Sequence, residues 1–257
     1  MSNVREKLAL VTGGSRGIGR AAALRLAGEG SHLAITYNTA AEKAAEVVQQ
    51  AEALGVRAKA YPIDLSQRDR YEPFVAQVVQ DFGMPVQVLV NNAGTLRDEP
   101  LSVLSYEAWG HTLAVDLEAP VFLAKAAVPG MKKAKWGRII NISSLVGVHG
   151  ASGQVAYAAA KGGLIAVTKS LALELACKNP SDSKRWWDIT VNCVCPGFIK
   201  TDMMESVGPV INAAILEQSP MRRMGTPEEV AEAIAHFACG ASYSTGVVYE
   251  VNGGLRT

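Results

Sequence analysis

Long apolar runs are missing from this sequence: no stretch reaches the roughly 18 uninterrupted apolar residues that a membrane-spanning helix needs. No membrane partner is therefore expected. Charge of one sign is not in excess either, since 25 Lys plus Arg face 24 Asp plus Glu, and no strong field draws the chain to nucleic acid. Cysteine is sparse. Cys177, Cys193, Cys195 and Cys239 lack CxxC spacing, which argues against a zinc site, any other metal centre of this kind, or a disulfide framework. Buried thiols in a reducing compartment fit better, with Cys193 and Cys195 as neighbours on one side of a strand. The opening "MSNVREKLALVTGG" passes from a short charged lead into an apolar run and a glycine turn without the shape of an export signal, so cytoplasm or an organelle matrix is the expected location. Neither a linker rich in Pro, Gly and Ser nor an internal repeat interrupts the chain.

What is present is a large apolar reserve. With 257 residues, 49% hydrophobic and 19% charged, the chain fits one α/β domain over residues 1–257. Short β-branched or apolar runs alternate with helical patterns: "LALVTGG" before "AAALRLAGEG", "HLAITY" before "AEKAAEVVQQAEALG", "RAKAYPIDL" before "YEPFVAQVVQDFG". "VQVLVNNAG", "GRIINISS", "ITVNCVCPG" and "GVVYEVNGG" continue the series to seven strand candidates. Parallel strands need crossover helices and bury both faces, so the expected fold is α/β, a doubly wound seven-stranded parallel sheet with helices on both sides. One connection is too long for this scheme. "KNPSDSKRWWD", residues 178–188, separates a long helix from the sixth strand where two to six residues are usual.

The turn after the first strand reads "TGGSRGIGR", with Gly13, Gly14, Gly17 and Gly19 opening a helix. Glycines let backbone N–H groups approach a pyrophosphate, and the helix N-terminus adds partial positive charge. A dinucleotide is the natural ligand, although GxxxGxG meets the common Rossmann spacing only loosely and a plain glycine turn is the alternative. At the end of the second strand, "TYNTA" carries no carboxylate to grip an adenosine 2′-hydroxyl, and Arg16 stands in the glycine loop. NADP is the expected cofactor, the alternative for Arg16 being a solvated helix-start arginine. Asp64 in "PIDLS" is either an acceptor for the adenine amine or a helix N-cap. "NNAG", residues 91–94, ends the fourth strand, where open α/β sheets place ligands. The cofactor contacts are assigned in the glycine loop to Gly13, Ser15, Arg16, Gly17, Ile18 and Gly19. Those at later strand ends are Asn38, Asp64, Leu65, Asn91, Ala93 and Gly94.

"VAYAAAKGG", residues 155–163, sets Tyr157 and Lys161 four positions apart among small residues, on one face of a helix. A phenol is a poor acid–base group at neutral pH, but a neighbouring ammonium favours its phenolate. The pair reads as a proton relay, or, taken alone, as an amphipathic tyrosine beside a surface lysine. Ser144, thirteen residues before Tyr157, ends another strand and could hydrogen-bond a carbonyl oxygen.

Together, "TGGSRGIG", "NNAG", Ser144 and Tyr157-xxx-Lys161 resemble the short-chain dehydrogenase/reductase family, with similarity from the first strand to "VNGG". "GRIINISSLVG", "GQVAYAAAKGGLIAVTKSLALE", "VNCVCPGFIKTDM" and "YEVNGG" are most similar to its 3-oxoacyl-acyl-carrier-protein reductases. The resemblance implies a Rossmann-like fold and NADPH-dependent reduction of a 3-oxoacyl thioester. Tyr157 would protonate the oxygen, Ser144 would polarise it, and Lys161 would hold the nicotinamide ribose. It also implies nicotinamide contacts along Pro196, Gly197, Ile199 and Thr201, and a substrate lid over residues 203–224. A homotetramer built through the long fourth and fifth helices and the last strand is implied too. An acidic carrier protein would be met by Lys135 and Lys178. One position departs from the family pattern: "AVDLEAPVF" puts Asp116 where an asparagine is common, as a fourth member of the catalytic set. His149 lies in the stretch expected to line the substrate pocket. Trp186 and Trp187 are either a packed anchor or an interaction patch. The alternative functions are reduction of another ketone or alcohol, such as a polyol, steroid or polyketide aromatic, and a cofactor-binding scaffold without turnover.

Overall fold

The computed structural model describes residues 3–176, 186–201, 217 and 219–255. Seven parallel strands form one sheet: β1 (Leu8–Val11), β2 (His32–Tyr37), β3 (Ala58–Pro62), β4 (Val86–Asn91), β5 (Trp136–Ile142), β6 (Asp188–Pro196) and β7 (Val248–Val251). Their order is β3-β2-β1-β4-β5-β6-β7. The seven strands are those the alternating apolar runs predict. Each inner strand is buried on both faces, which is why β1 and β4 carry continuous aliphatic runs instead of an apolar–polar alternation.

Residue period two sorts the side chains into two cores. Ala9 and Val11 of β1 and Leu33 and Ile35 of β2 face one side, with Ala22 and Leu26 of α1 (Gly17–Gly28). Val47 of α2 (Ala41–Ala53) joins the same core. The other side joins Leu8 and Leu10 to Val75 and Val78 of α3 (Tyr71–Phe82). After a short α4 (Tyr106–Leu113) come α5 (Ala119–Lys133), α6 (Leu145–His149), α7 (Val155–Leu175) and α8 (Pro227–Ala235). Leu123 and Met131 of α5 and Leu175 of α7 pack with the second core, while Val230 and Ile234 of α8 join the first.

Across β5 and β6, the nearly inaccessible Arg138 binds Asp188 through two nitrogens, at 3.0 and 2.8 Å, and lies over the Trp136 ring. Trp187 settles one of the tryptophan alternatives. Its indole N–H donates to the Leu175 carbonyl at 2.7 Å and its ring lies under Lys132, so it anchors the end of α7 to α5. Trp186 is half exposed. Most of the long connection between α7 and β6, residues 177–185, falls outside the described residues, and with it Cys177 and Lys178.

Strand order reverses between β1 and β4, so the crossovers leaving these neighbours diverge and open a crevice at their C-terminal ends. The loops that follow β1, β4, β5 and β6 all reach this edge.

Candidate active site

Crowding at the β1 loop explains its glycines. Gly13 and Gly17 have φ of 64° and 54°, a region that favours glycine. A Cβ on Gly19 would lie 2.2 Å from the Gly13 carbonyl oxygen, so the first turn of α1 can press onto the loop only without one. The N-cap of α1, Arg16, makes no side-chain cap, and the first turn holds no acidic residue. The leading N–H groups of α1 are thus left for an anion, the condition a pyrophosphate needs. Ser15 is buried in the loop and Ile18 packs against the core beneath it.

Thr12 ties this loop to the next strand end. Its hydroxyl accepts from the backbone nitrogens of Asn92 and Ala93, at 3.0 and 2.9 Å. Sequence reasoning gave Thr12 no role although it heads the glycine stretch; hydroxyl chemistry at that position was the available signal. Asn91 points the other way, into the core, donating to Asn141 at 2.8 Å, and Asn141 in turn donates to Thr168. Asn91 therefore braces β4 against β5.

Arg16 and Asn38 are both exposed at this edge, and no carboxylate occupies Tyr37–Ala40. The residues present fit a 2′-phosphorylated nucleotide: a glycine cradle, an uncapped helix start, a guanidinium and an amide. Asp64 does not cap the helix that follows, whose N-cap is Gln67. Asp64 Oδ1 accepts from the backbone N and hydroxyl of Ser66 at 2.9 and 2.8 Å, and these bonds hold its carboxyl below the usual range. The neighbouring Leu65 is buried, its carbonyl accepting from Tyr71 at 2.8 Å.

At the end of β5, Ser144 caps α6, its Oγ accepting from the Val146 nitrogen at 3.1 Å. The segment expected as a pocket loop thus begins with a five-residue helix. Helix α7 lies close against it. A Cβ on Gly147 would come within 2.7 Å of the Lys161 carbonyl carbon, and Gly163 of α7 faces Leu117 at a similarly small clearance. Small residues around the Tyr157 and Lys161 positions therefore permit close packing on two sides.

Lys161 is buried. Its Nζ donates to the Ile142 carbonyl at 3.0 Å, lies 2.9 Å from Asp116 Oδ1 and stands 5.6 Å from the centre of the Tyr157 ring. Burial alone would lower the Lys161 ammonium, but Asp116 and the Tyr157 hydroxyl outweigh it and the group is raised. Burial raises Tyr157 as well, Lys161 opposes that rise, Asp116 adds to it, and a hydrogen bond with Ser144 works against it. Ser144, Tyr157, Lys161 and Asp116 are thus brought together. Asp116 sits in a single π-helical turn, Ala114–Glu118, between α4 and α5.

The β6 end completes the edge. Pro196 terminates the strand, Gly197 N donates to Val251 at 2.9 Å, and Ile199 is buried beside Gly225. A Cβ on Gly17 would meet the Thr201 methyl at 3.3 Å, which places Thr201 against the glycine loop. Residues 202–216 and 218, most of the expected lid, lie outside the described residues. His149 points toward the chain end, its Nε2 3.9 Å from Glu250, where the two line an open cavity of about 450 Å³ with Asn252, Gly254 and Leu255.

Lys135, the carrier contact that the resemblance implies, lies away from the cluster of Ser144, Tyr157 and Lys161. It precedes β5 whereas Ser144 follows it, so the two stand at opposite ends of the same strand, about 30 Å of extended chain apart at a strand's rise per residue. Sequence proximity to a motif does not reveal which end of a strand a residue occupies. The Cys193 and Cys195 sulfurs lie 3.9 Å apart, both buried, as the strand period predicts.

Comparisons with known proteins agree with this geometry. A family model described as short chain dehydrogenase matches residues 7–211. The 3-oxoacyl-[acyl-carrier-protein] reductase FabG of Staphylococcus aureus is 40% identical over 250 residues, covering 97% of this chain and 98% of that protein. FabG of Pseudomonas aeruginosa is 39% identical over 254 residues, with 98% of each chain covered. Nodulation protein G of Azospirillum brasilense is 39% identical over 252 residues, again covering 98% of each. Among solved structures, a blue fluorescent protein from a metagenomic library, in complex with NADPH, is similar with a TM-score of 0.88 and 36% identity, covering 98% of both chains. With the glycine cradle, the strand-end crevice and the Ser–Tyr–Lys cluster already in place, a match of this extent means that the chain belongs to the short-chain dehydrogenase family.

Proposed function

We propose that this protein is an NADPH-dependent reductase that converts a 3-oxoacyl thioester, linked to an acyl carrier protein or to coenzyme A, into the 3-hydroxyacyl thioester. The observation that carries the chemistry is the packing of Ser144, Tyr157 and Lys161 at the crevice where the cradle of Gly13, Gly17 and Gly19 opens. The thioester is supported by the full-length similarity to the FabG proteins.

Bound NADPH supplies the hydride that reduces the carbonyl carbon. The chain's own residues manage the oxygen. Ser144 Oγ accepts from Val146, which fixes the hydroxyl at the end of β5, and its proton is donated to the substrate oxygen. Tyr157 transfers its phenolic proton to that oxygen as negative charge builds there. Lys161, fixed by Ile142 and Asp116, offsets the phenolate left behind. Residues Arg16 and Asn38 would hold the 2′-phosphate, and the first turn of α1 the pyrophosphate.

Assembly into a homotetramer belongs to the same reading. Helix α7 is rich in apolar and small residues, and Leu173 on its outer side is 79% exposed, while Phe122 of α5 is also open. A carrier-protein contact at Lys135, at the far end of β5, would then serve the site of a neighbouring copy.

The test is the initial rate of NADPH oxidation with an acetoacetyl thioester, beside simple ketones and polyols, for the native chain and Tyr157→Phe. Thioester reduction that falls by about 10²-fold or more in the variant is the expected result. Turnover confined to other carbonyls would overturn the substrate, and silence on every substrate despite NADPH binding would overturn the reaction.

A further inference from the structure

Asp116 is fully buried, and its carboxylate is committed on both oxygens. Oδ1 pairs with Lys161 Nζ at 2.9 Å, and Oδ2 accepts from the Thr95 backbone nitrogen at 3.0 Å. Such a pair, removed from water, persists only when each member has further polar contacts. Lys161 finds its own in the Ile142 carbonyl. The surroundings are shaped for this contact. The π-helical turn buries Ala114, Val115 and Asp116 in succession, and Gly94 makes room, since a Cβ there would lie 2.7 Å from Asp116 Oδ1.

The arrangement joins the strand end that borders the nucleotide crevice to the ammonium beside Tyr157. An amide at residue 116 could accept from only one of these two donors, through its single oxygen. It would bring no charge.

We infer that Asp116 is a positioning residue that also sets the charge of the proton relay, so that Tyr157 keeps its proton to a higher pH than a neutral residue at position 116 would allow. With Tyr157 protonated, the Asp116–Lys161–Tyr157 cluster is neutral. Loss of a proton leaves it with one net negative charge in a buried site, whereas without the carboxylate the same loss would take it from positive to neutral. Among the described residues, the other groups that act on the relay are Asp98 from the segment after β4, Cys193 from β6 and the Ser144 hydroxyl from the end of β5. Asp98 acts in the same sense as Asp116, and Lys161 is the cation that opposes both.

The consequence rests on the reductase reading. Reduction takes its proton from the phenol, and the reverse reaction needs the phenolate, so the carboxylate favours reduction over a wider range of pH.

Asp116→Asn keeps the size and an acceptor for Thr95 and removes the charge together with the oxygen that faces Lys161. The measurement is ultraviolet titration of tyrosinate without cofactor, for the native chain and D116N, each subtracted from the same chain carrying Tyr157→Phe. The expected result is a Tyr157 midpoint above the ordinary phenol value of about 10 in the native chain. In D116N it should fall by about one pH unit or more, with the alkaline limb of kcat/KM for ketone reduction moving the same way. Equal midpoints in the two proteins would overturn the inference. Should D116N fail to fold, Asp116→Ser is titrated in the same way, and a midpoint equal to the native one again overturns the inference. A native chain that titrates as expected yet reduces no ketone would sink the reductase reading and leave this one standing.

Discussion

Thr12 and Asn92 are bonded twice: the Asn92 backbone nitrogen donates to Thr12 Oγ1 at 3.0 Å, and its side-chain Nδ2 donates to the Thr12 carbonyl at 2.9 Å. The first strand end is thereby locked to the fourth across the crevice. Thr12→Val keeps the shape, strands the Ala93 N–H without its acceptor and leaves the Asn92 N–H only the Val90 carbonyl. The expected loss is about 2 kcal/mol of stability by denaturant unfolding, together with weaker NADPH binding by fluorescence titration.

Gly19 tolerates no side chain. An added Cβ would sit 2.2 Å from the Gly13 oxygen and 2.5 Å from Asn92 Nδ2, both fixed by the crevice. Gly19→Ala is expected to weaken NADPH binding by about tenfold or more, the equivalent of roughly 1.4 kcal/mol. Gly28→Ala, at the other end of α1 with open space around it, should leave binding alone and add up to about 1 kcal/mol of stability.

Acid sensitivity should concentrate at the start of α8. Glu229 accepts from Arg223 and from the Thr226 backbone nitrogen, and these bonds lower its carboxyl from 4.5 to about 2. Its stabilisation is therefore complete above its unfolded value and is lost as pH falls from 4.5 toward 2. The side chain is 41% exposed, so solvent screening reduces the contribution to about 1 kcal/mol. Glu229→Gln should cost about that much at pH 7, and the gap to the native chain should close on acidification.

Leu173 offers a direct test of assembly. Leu173→Lys places a charge on the exposed side of α7, where no intramolecular packing is lost. The folded chain should remain as stable and elute as a smaller species in size-exclusion chromatography; an unchanged elution volume would count against α7 as an interface.

The sheet was legible because its evidence is local: apolar runs such as Leu8–Val11 end at glycine turns and alternate with helical periods. Ser144, Tyr157 and Lys161 were legible because helix and strand geometry fix their directions. The π-helical turn at Asp116 was not, since one extra residue in a helix leaves no compositional trace, and the side-chain pairing with Lys161 depends on it. The Asp64 bonds to Ser66 were not legible, since an Asp before a helix can cap it or close a turn on its own backbone, and only the backbone path decides between these two. Trp187 needed Lys132 and Leu175, which the fold brings together from elsewhere.

The strand order also carries a kinetic consequence. β1 pairs with β4, and the site draws on segments near residues 13, 94, 116, 144, 161 and 199, so its parts meet only after most of the chain has been threaded into the sheet. Long loops must close before these contacts can form, which slows folding and leaves little of the nucleotide crevice in any partly folded chain. Nucleotide binding should therefore appear late in refolding, and its appearance reports that the whole sheet has closed.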